Sequence, residues 1–391
     1  MFLSADLKEF INNNLNKSIK DLVFQKNPFE TYDWKWILNQ IQAKQKAEKK
    51  LPTWYNYDDI IFPSTLSIEQ TSSEVLANYK ASLISGNKII DLTGGFGIDC
   101  FYFSTRFNQV THCEFQEDLS SIVSHNFQVL DKSNIQTISG DSISYLENLN
   151  EHFDWIYIDP ARRDDSKSKV FLLADCTPNV VVLQDLLFAK SNNILIKVAP
   201  LLDISSILNE LSNVKTIYAI SLQNEVKELL IVLEKDFIET PFLIATNITN
   251  NGSITTNTFN LEDDLFCNVS LPQQYLYEPY SSFLKIGAYN GLANLYHANK
   301  LHKHSHLYTS DSLIDFPGRQ FEIERIINYN KKELKEFEGT KWNITTRNFP
   351  LKVEEIRKKH KIKDGGDIYA FFTTNLKEEK IVILTKKIKT D

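Results

Sequence analysis

The sequence is poor in the residues that crosslink a chain or anchor it in a membrane. Of its 391 residues only four are cysteines. None of them lies in a CxxC pair, which argues against both a zinc knuckle and a disulfide framework. No stretch reaches the roughly 18 consecutive apolar residues of a membrane span. The opening residues MFLSADLKEF carry acids where a secretory signal needs basic residues and a long apolar run. We therefore expect a cytoplasmic protein with no membrane partner.

The charge of the chain is unevenly distributed. The formal net charge is −7, yet residues 331–391 hold 16 Lys and Arg against 10 Asp and Glu. The other 330 residues hold 27 basic against 40 acidic side chains. A basic C-terminal end permits contact with a polyanion such as RNA. A solvated, lysine-rich surface explains the same counts equally well.

Three regions differ in their residue patterns. Residues 1–62 repeat aromatic and aliphatic residues at helical spacing and predict a helical N-terminal region. Residues 63–262 alternate strand and helix patterns, and residues 263–391 predict a small α+β domain. The length agrees with two or three domains. The sequence carries no signal for the oligomeric state.

The middle region predicts a Rossmann-like α/β sheet. Apolar strand patterns occur at 88–92, 109–114, 135–139, 154–159 and 193–198. The next two strand patterns, VKTIYAISL and KELLIVLEK, are separated by only four residues, too few for a crossover helix. This last pair must therefore be antiparallel. A parallel sheet closed by an antiparallel strand is typical of class I methyltransferases, whereas the usual dinucleotide-binding sheet lacks that strand.

A glycine-rich turn follows the first strand, in KIIDLTGGFG. Glycines let the backbone approach a small-molecule ligand because no Cβ intervenes. The GxGxxG pattern of dinucleotide folds fails at Cys100, and Thr93 replaces the first glycine of the acid-x-Gly-x-Gly-x-Gly pattern. The next strands end in Glu114, where a ribose-binding acid is expected, and in Asp141, which could bind the exocyclic amine of adenine. Either acid alone could be a surface carboxylate, but together they predict a ligand at the carboxyl end of the sheet.

The fourth strand leads into DWIYIDPARRDD. We expect Asp159 to accept a hydrogen bond from an amine or ring nitrogen and so aim its lone pair, with Pro160 fixing the turn. Arg162 and Arg163 could clamp a phosphate or stack on a base. The competing interpretation pairs these arginines with the two acids that follow them.

Three further features receive weaker interpretations. STLSIEQTSSEVLANYKASLIS predicts one helix with a capping box at Ser67 and Gln70. Capping is the default interpretation of its polar first turns, and a position near the ligand is the alternative. Cys176 would be a nucleophile only in a covalent mechanism, so a packed thiol is the default interpretation. LHKHSH at 301–306 places three histidines on one face of a predicted strand, and without a fourth ligand no metal is predicted.

Several long runs resemble one family. FPSTLSIEQTSSEVLANYKA, DLTGGFGID, YIDPARRD, LIKVAPLLDI, QNEVKELLIVL and RNFPLKVEEIRKKHKIKDGGDIYAFFTT are similar to bacterial class I S-adenosylmethionine-dependent methyltransferases with a THUMP-like, ferredoxin-like C-terminal domain. The resemblance extends from about residue 62 onward. It implies that S-adenosylmethionine is held by Asp91, Thr93, Gly95, Gly97, Glu114 and Asp141. It also implies a substrate-side motif at 159–163, where Asp-Pro-Ala-Arg stands in place of the Asn/Asp-Pro-Pro-aromatic of base-amine methyltransferases.

These observations predict the methylation of a base nitrogen of guanine or adenine in a structured RNA, either tRNA or rRNA. The RNA substrate follows from the resemblance, since THUMP-type modules deliver RNA to methyltransferase domains. In this hypothesis the C-terminal domain, at 263–391, contacts phosphates through Arg347, Lys352, Arg357, Lys358 and Lys359.

Three alternatives remain open from the sequence. The first is a small-molecule methyltransferase whose terminal domain serves dimerisation. The second is a non-catalytic RNA-binding protein that retains the methyltransferase fold. The third is an NAD-linked oxidoreductase, which Cys100 and the terminal antiparallel hairpin disfavour.

Overall fold

The computed structural model describes residues 3–162, 172–261 and 266–388. They form two compact units. The first consists of Met1–Val198, Ser205–Asn213 and Ile231–Phe237, and the second of Ala199–Ile204, Val214–Leu230 and Ile238–Asp391. The boundaries at 62 and 262 remain predictions.

Helices open the first unit, as the sequence predicts. They are α1 (Ala5–Asn13), α2 (Ile19–Leu22), α3 (Trp34–Lys50), α4 (Pro52–Tyr55), α5 (Thr65–Gln70) and α6 (Glu74–Ser82). Leu7, Ile37 and Ile41 are fully buried in their shared core. Ile37 and Ile41 are four residues apart, so both lie on the inward face of α3.

The single helix predicted from Ser67 is wrong, because the chain forms α5 and α6 instead. Ser64 and Ser73 are the two N-caps, and their hydroxyls accept hydrogen bonds from Ser67 N at 3.2 Å and Leu76 N at 3.4 Å. Thr71 is extended and ends α5. A second capping serine satisfies the first amides of a new helix, so it competes with continuation of the first one.

The strands of the first unit form the predicted sheet. The elements are β1 (Gly86–Asp91), α7 (Ile98–Phe103), β2 (Phe107–Glu114), α8 (Glu117–Val129), β3 (Ile135–Ser139), α9 (Ser142–Asn148), β4 (Trp155–Ile158), β5 (Ala161–Arg162), β6 (Cys176–Thr177), α10 (Val180–Lys190), β7 (Asn193–Val198) and α11 (Ile204–Glu210). A short 3-10 helix covers Leu173–Asp175. The sheet order is β7-β4-β1-β2-β3, with every neighbouring pair parallel. All five predicted parallel strands are confirmed.

The antiparallel hairpin after this sheet is also confirmed. It joins β8 (Val214–Leu222) to β9 (Glu225–Glu234) through Gln223 and Asn224. Both linking residues have positive φ, 56° and 62°, as a two-residue type I′ hairpin turn requires. The last residues of β9 belong to the first unit, where β9 lies beside β7.

In the second unit the strand order is β9-β8-β10-β11. The strands β10 (Phe242–Ile248) and β11 (Ile254–Asn260) form the predicted hairpin around Asn251-Gly252. The pairing of β10 with β8 is parallel, whereas its pairing with β11 is antiparallel.

The rest of the second unit is the predicted α+β domain. It contains β12 (Tyr275–Pro279), α12 (Ser281–Ile286), α13 (Tyr289–Leu295), β13 (Asn299–Lys300), β14 (Tyr308–Ser310), β15 (Gly318–Asn328), α14 (Lys331–Leu334), β16 (Lys341–Arg347), α15 (Val353–His360), β17 (Lys363–Asp364), β18 (Ile368–Thr374) and β19 (Lys380–Lys387). The sheet order is β13-β14-β12-β15-β19-β18-β16-β17. The core includes Trp342, Ile356 and Phe372, all fully buried.

The strand predicted for the histidines at 301–306 is wrong. These residues form turns, and His306 has a φ of 51°. The His302 ring is held by Glu378 at 2.9 Å and by Asn348 at 2.9 Å. In the part of the chain that the structure describes, no group of three His, Cys, Asp or Glu is arranged to hold a metal. Nor do these residues include a helix with the length and hydropathy to cross a bilayer.

Candidate active site

A cavity of about 390 Å³ opens at the carboxyl end of the parallel sheet in the first unit. Four of the six predicted cofactor residues line it: Asp91, Thr93, Gly95 and Glu114. Asp159 and Lys197 line it from the ends of β4 and β7. Ser67, Gln70, Thr71 and Ser72 also contribute to the wall. Acids from separate strand ends therefore do meet around one concave space.

Asp91 organises the glycine turn from beneath. Its Oδ1 accepts hydrogen bonds from the amide of Thr93 at 2.8 Å and from the Thr93 hydroxyl at 3.2 Å. The thiol of Cys100 donates to Oδ2 at 3.3 Å. The Thr93 hydroxyl in turn accepts from the Asp159 amide at 2.7 Å. The two departures from glycine patterns, Thr93 and Cys100, thus both bind the same carboxylate, and Thr93 also ties the turn to the end of β4.

The Asp91 carboxyl is only 1% exposed. Burial raises the pKa of Asp91 to about 7, and the negative charges of Asp99 and Asp159 add to this rise. The hydrogen bonds from Thr93 and Cys100 act in the opposite direction. A group with this pKa exchanges its proton near neutral pH.

The three glycines of the turn meet two different requirements. A Cβ on Gly94 would lie 2.3 Å from Nε2 of His112, so this position has no room for a side chain. Gly95 has a φ of 53°, and its Cβ would meet only Thr93 O, at 3.9 Å. Gly97 has a φ of 80°, and its Cβ would lie 2.6 Å from Phe127 of α8. Gly95 therefore leaves its backbone open to a ligand, whereas Gly97 permits close packing against protein.

Glu114 holds the glycine turn, and its carboxylate oxygens can still accept further hydrogen bonds. Its Oε2 accepts from the Gly95 amide at 3.0 Å, and its Oε1 accepts from the Gln116 amide at 2.8 Å. A carboxylate oxygen can accept a second hydrogen bond, so both oxygens remain able to bind hydroxyl groups. This arrangement suits the two hydroxyls of a ribose.

Asp141 is not part of the cavity wall. It caps α9, where its oxygens accept from the Ile143 amide at 3.0 Å and from the Ser144 hydroxyl at 2.8 Å. The Ser144 hydrogen bond, together with the Ile143 one, holds the pKa of Asp141 below its usual value. The role of Asp141 in binding adenine stays a prediction.

Asp99 of the cavity wall belongs to a buried ion pair that sequence reasoning missed. The Lys80 ammonium is fully buried and lies 2.9 Å from Asp99 and 3.1 Å from the Tyr157 hydroxyl. That hydroxyl donates to Asp99 at 2.8 Å. Burial by itself would raise the pKa of Asp99, but the positive charges of Lys80 and Lys197 outweigh it and lower the pKa. Asp99 is therefore held as a carboxylate.

Asp159 forms a second ion pair, with Lys197 at 2.5 Å. The lysine side chain is mostly buried, whereas that of Asp159 is about one third exposed to the cavity side. Sequence reasoning missed Lys197, although a lysine inside the apolar strand NILIKV was a signal for it. Parallel strands buried on both faces rarely contain a charged residue without a partner.

The remaining predicted site residues are only partly described. Pro160 is buried directly after Asp159. The backbone of Arg162 pairs with Cys176 in the β5–β6 ladder. The side chain of Arg162 and all of Arg163 lie outside the described residues, so both arginine roles stay predictions. Cys176 is 1% exposed, as expected for a packed thiol.

The residues present fit S-adenosylmethionine. Gly95 has no side chain to fill the cavity, and the Glu114 oxygens retain acceptor sites for ribose hydroxyls. Together with the sheet order and the antiparallel hairpin, this site defines the class I methyltransferase fold.

Comparisons with known proteins assign the chain to a family. Residues 318–387 match the THUMP domain-like family and residues 275–317 a ferredoxin-like domain. The chain is 30% identical to the solved "putative methyltransferase from Porphyromonas gingivalis W83", with 98% of each chain covered and a TM-score of 0.88. It therefore belongs to the same methyltransferase family, with a THUMP-like C-terminal domain.

A curated relative gives a shorter match. An uncharacterised RNA methyltransferase of Mycoplasma mobile is 28% identical over 156 residues. The match spans 38% of this chain and 42% of that protein.

Proposed function

We propose that this protein transfers a methyl group from S-adenosylmethionine to a base nitrogen in a structured RNA, either tRNA or rRNA. The cofactor supplies, when bound, a methyl group already activated on a sulfonium. The observation that carries the proposal is the shared cavity of Gly95, Glu114 and the Asp159–Lys197 pair. Gly95 and Glu114 would hold the cofactor, and Asp159 would accept a hydrogen bond from the acceptor amine.

The RNA substrate is supported by the THUMP-like match and by the name of the Mycoplasma relative. The basic residues predicted to contact phosphate differ in whether an acidic side chain already pairs with them. Arg347 pairs with Glu278 at 2.8 Å, and Arg357 pairs with Asp364. Lys352, Lys358 and Lys359 are exposed on α15 or at its start, so they are the better candidates for phosphate contact. Lys359 also donates to the Tyr329 hydroxyl at 3.1 Å.

Transfer of isotope-labelled methyl groups to total cellular RNA, followed by nucleoside mass analysis, tests the proposal. We expect labelled methyl groups in a base, and no incorporation into any RNA would contradict it. Binding of the RNA should weaken steeply with added salt, since phosphate contacts release counterions. A small-molecule methyltransferase would show neither result.

Two variants separate the roles within the site. Asp159→Ala should lower turnover by about 100-fold or more, the usual scale for a positioned polar group, with the cofactor Kd within a few fold. Glu114→Ala should mainly raise the cofactor Kd. Equal effects of the two substitutions on Kd and turnover would contradict this division.

Lys197 supports a second candidate, methyl transfer to a ribose hydroxyl of RNA. An acceptor nitrogen becomes positive as it takes a methyl group, and a neighbouring ammonium opposes that charge. A hydroxyl acceptor must instead lose its proton, which Asp159 could accept, and the Lys197 ammonium would stabilise the negative charge that develops on the oxygen. The same nucleoside analysis decides, because a ribose methyl group protects the adjoining linkage from alkali whereas a base methyl group does not.

A further inference from the structure

A second cavity, of about 580 Å³, lies wholly within the second unit. Three stretches form its wall. They are the turn between β10 and β11, the tyrosines Tyr280 and Tyr296, and the segment from Asp315 to Gln320 that leads into β15. The active site described above uses none of these residues.

The aromatic side of this cavity is held rigidly. Phe316 is 2% exposed, with its ring centroid 5.5 Å from that of Tyr296 and 5.1 Å from that of Tyr308. The Tyr296 hydroxyl donates to Asn257 at 2.8 Å. A Cβ on Gly318 would lie 2.1 Å from the carbonyl oxygen of Glu278, so β12 and β15 approach too closely for any other residue. Protein contacts therefore hold the Phe316 and Tyr296 rings in position before any ligand binds.

The charge of the cavity is unusual for an RNA-binding unit. Among the residues that line it, Asp315 is an exposed carboxylate and none is Lys, Arg or His. Burial raises the pKa of Tyr280, and the charge of Asp315 adds to the rise. The same carboxylate also raises the pKa of Tyr296 in addition to burial. Asp315 thus shares the cavity wall with both tyrosines, and its charge would repel a phosphate group there.

We propose that this cavity binds one unpaired guanine base of the RNA, with the base edge on Asp315 and its ring against the tyrosines. The proposal rests on the proposed function only in taking RNA as the substrate. Unpaired bases are commonly bound by stacking on aromatic side chains and by hydrogen bonds to their edges.

The preference for guanine follows from its edge. Guanine offers two adjacent donors, the ring N–H and the exocyclic amine, which match the two oxygens of a carboxylate. Adenine and cytosine each place a ring acceptor beside the amine, and a carboxylate repels that acceptor. Uracil offers a single N–H between two carbonyl oxygens.

The test measures binding of the full chain to uridine hexamers that carry one central G, A or C, by fluorescence anisotropy without cofactor. We expect the G hexamer to bind about tenfold more tightly than the A hexamer, the scale of hydrogen bonds to a charged group. Asp315→Asn should remove this preference, and Tyr280→Ala should weaken binding of every hexamer. The matched control is Asp311→Asn, whose carboxylate accepts from Gln273 at 2.8 Å and lies outside the cavity lining.

Equal affinity for the three hexamers, or a guanine preference that survives Asp315→Asn, would overturn the proposal. So would binding of a polyamine or a cationic peptide that the hexamers do not displace. The methyl-transfer assay is a separate measurement. Absence of methyl incorporation with an intact guanine preference would contradict the proposed activity and leave this inference standing.

Discussion

The two cavities differ in the residues that line them. The one in the first unit has Asp99, Asp159 and Lys197 in its wall, which belong to two lysine–carboxylate pairs, Lys80–Asp99 and Asp159–Lys197. The one in the second unit has tyrosine rings and the single acid Asp315, without a basic residue in its lining. Buried ion pairs fix side chains in place, but removing one partner leaves a desolvated charge. We therefore expect substitutions at the ion pairs of the first cavity to destabilise the fold. Substitutions in the lining of the second cavity should change its binding chemistry with little loss of stability.

The strongest test of this comparison is Lys80→Met. The substitution leaves Asp99 buried beside an apolar side chain, so we expect the free energy of unfolding to fall by about 3–5 kcal/mol. Denaturant unfolding of the purified variant measures it.

The matched control is Lys46→Ala. Lys46 pairs with Glu69 at the surface, with side chains 36% and 55% exposed. Its loss should cost no more than about 1 kcal/mol, the usual value for exposed pairs. Similar losses of unfolding free energy in Lys80→Met and Lys46→Ala would mean that burial does not increase the cost of breaking the Lys80–Asp99 pair.

Gly94→Ala should have the next largest effect. The new methyl group would overlap the His112 ring, which α8 and the sheet hold in place. We expect a loss of about 1–3 kcal/mol, the usual cost of overpacking. Thermal unfolding with and without cofactor measures both the loss and its effect on binding.

Combining Gly94→Ala with His112→Ala gives the control, since the smaller side chain leaves room for the methyl group. The double variant should lose less stability than the sum of the two single variants. Strict additivity would show that the clash with His112 is not the cause.

Asp91 gives a pH-dependent test of the first cavity. Because burial raises the pKa of Asp91 to about 7, the folded protein holds a proton on it that the unfolded chain releases near pH 4. Its contribution to stability is therefore present at low pH and is lost as the pH rises toward 7. Between pH 5.5 and pH 6.5 the wild type should lose about 1 kcal/mol relative to Asp91→Asn. Urea unfolding of both proteins at the two pH values measures this difference, and a constant difference would contradict the raised pKa.

The sequence predicted the features that depend on local pattern. The apolar runs of β1 to β4 and β7 and the short β8–β9 link each determine an element within a few residues of chain. The break between α5 and α6 was missed because the apolar residues of the segment follow one helical periodicity. That periodicity does not show that Ser64 and Ser73 each cap a separate helix.

The missed site residues depend on contacts between distant segments. Gly94 is constrained by His112, which the β1–β2 register places opposite Asp91. Lys80 and Lys197 find their acids only after α6, α7 and two strands have assembled. At Asp141 the sequence reasoning considered a ligand contact or a surface carboxylate, whereas in the structure its oxygens accept from the Ile143 amide and the Ser144 hydroxyl at the start of α9. Its role in binding adenine stays a prediction.

The smallest expected effect concerns the second cavity. Asp315 is exposed and lies outside the packed core, so Asp315→Asn should change the free energy of unfolding by less than about 0.5 kcal/mol. The same variant is expected to lose its preference for guanine, so one substitution would separate binding from stability. A loss of stability comparable to that of Gly94→Ala would show that Asp315 supports the fold, and the contrast between the two cavities would then fail. Thermal unfolding of Asp315→Asn and of the Asp311→Asn control decides between these outcomes, because both variants remove one exposed negative charge from the same unit.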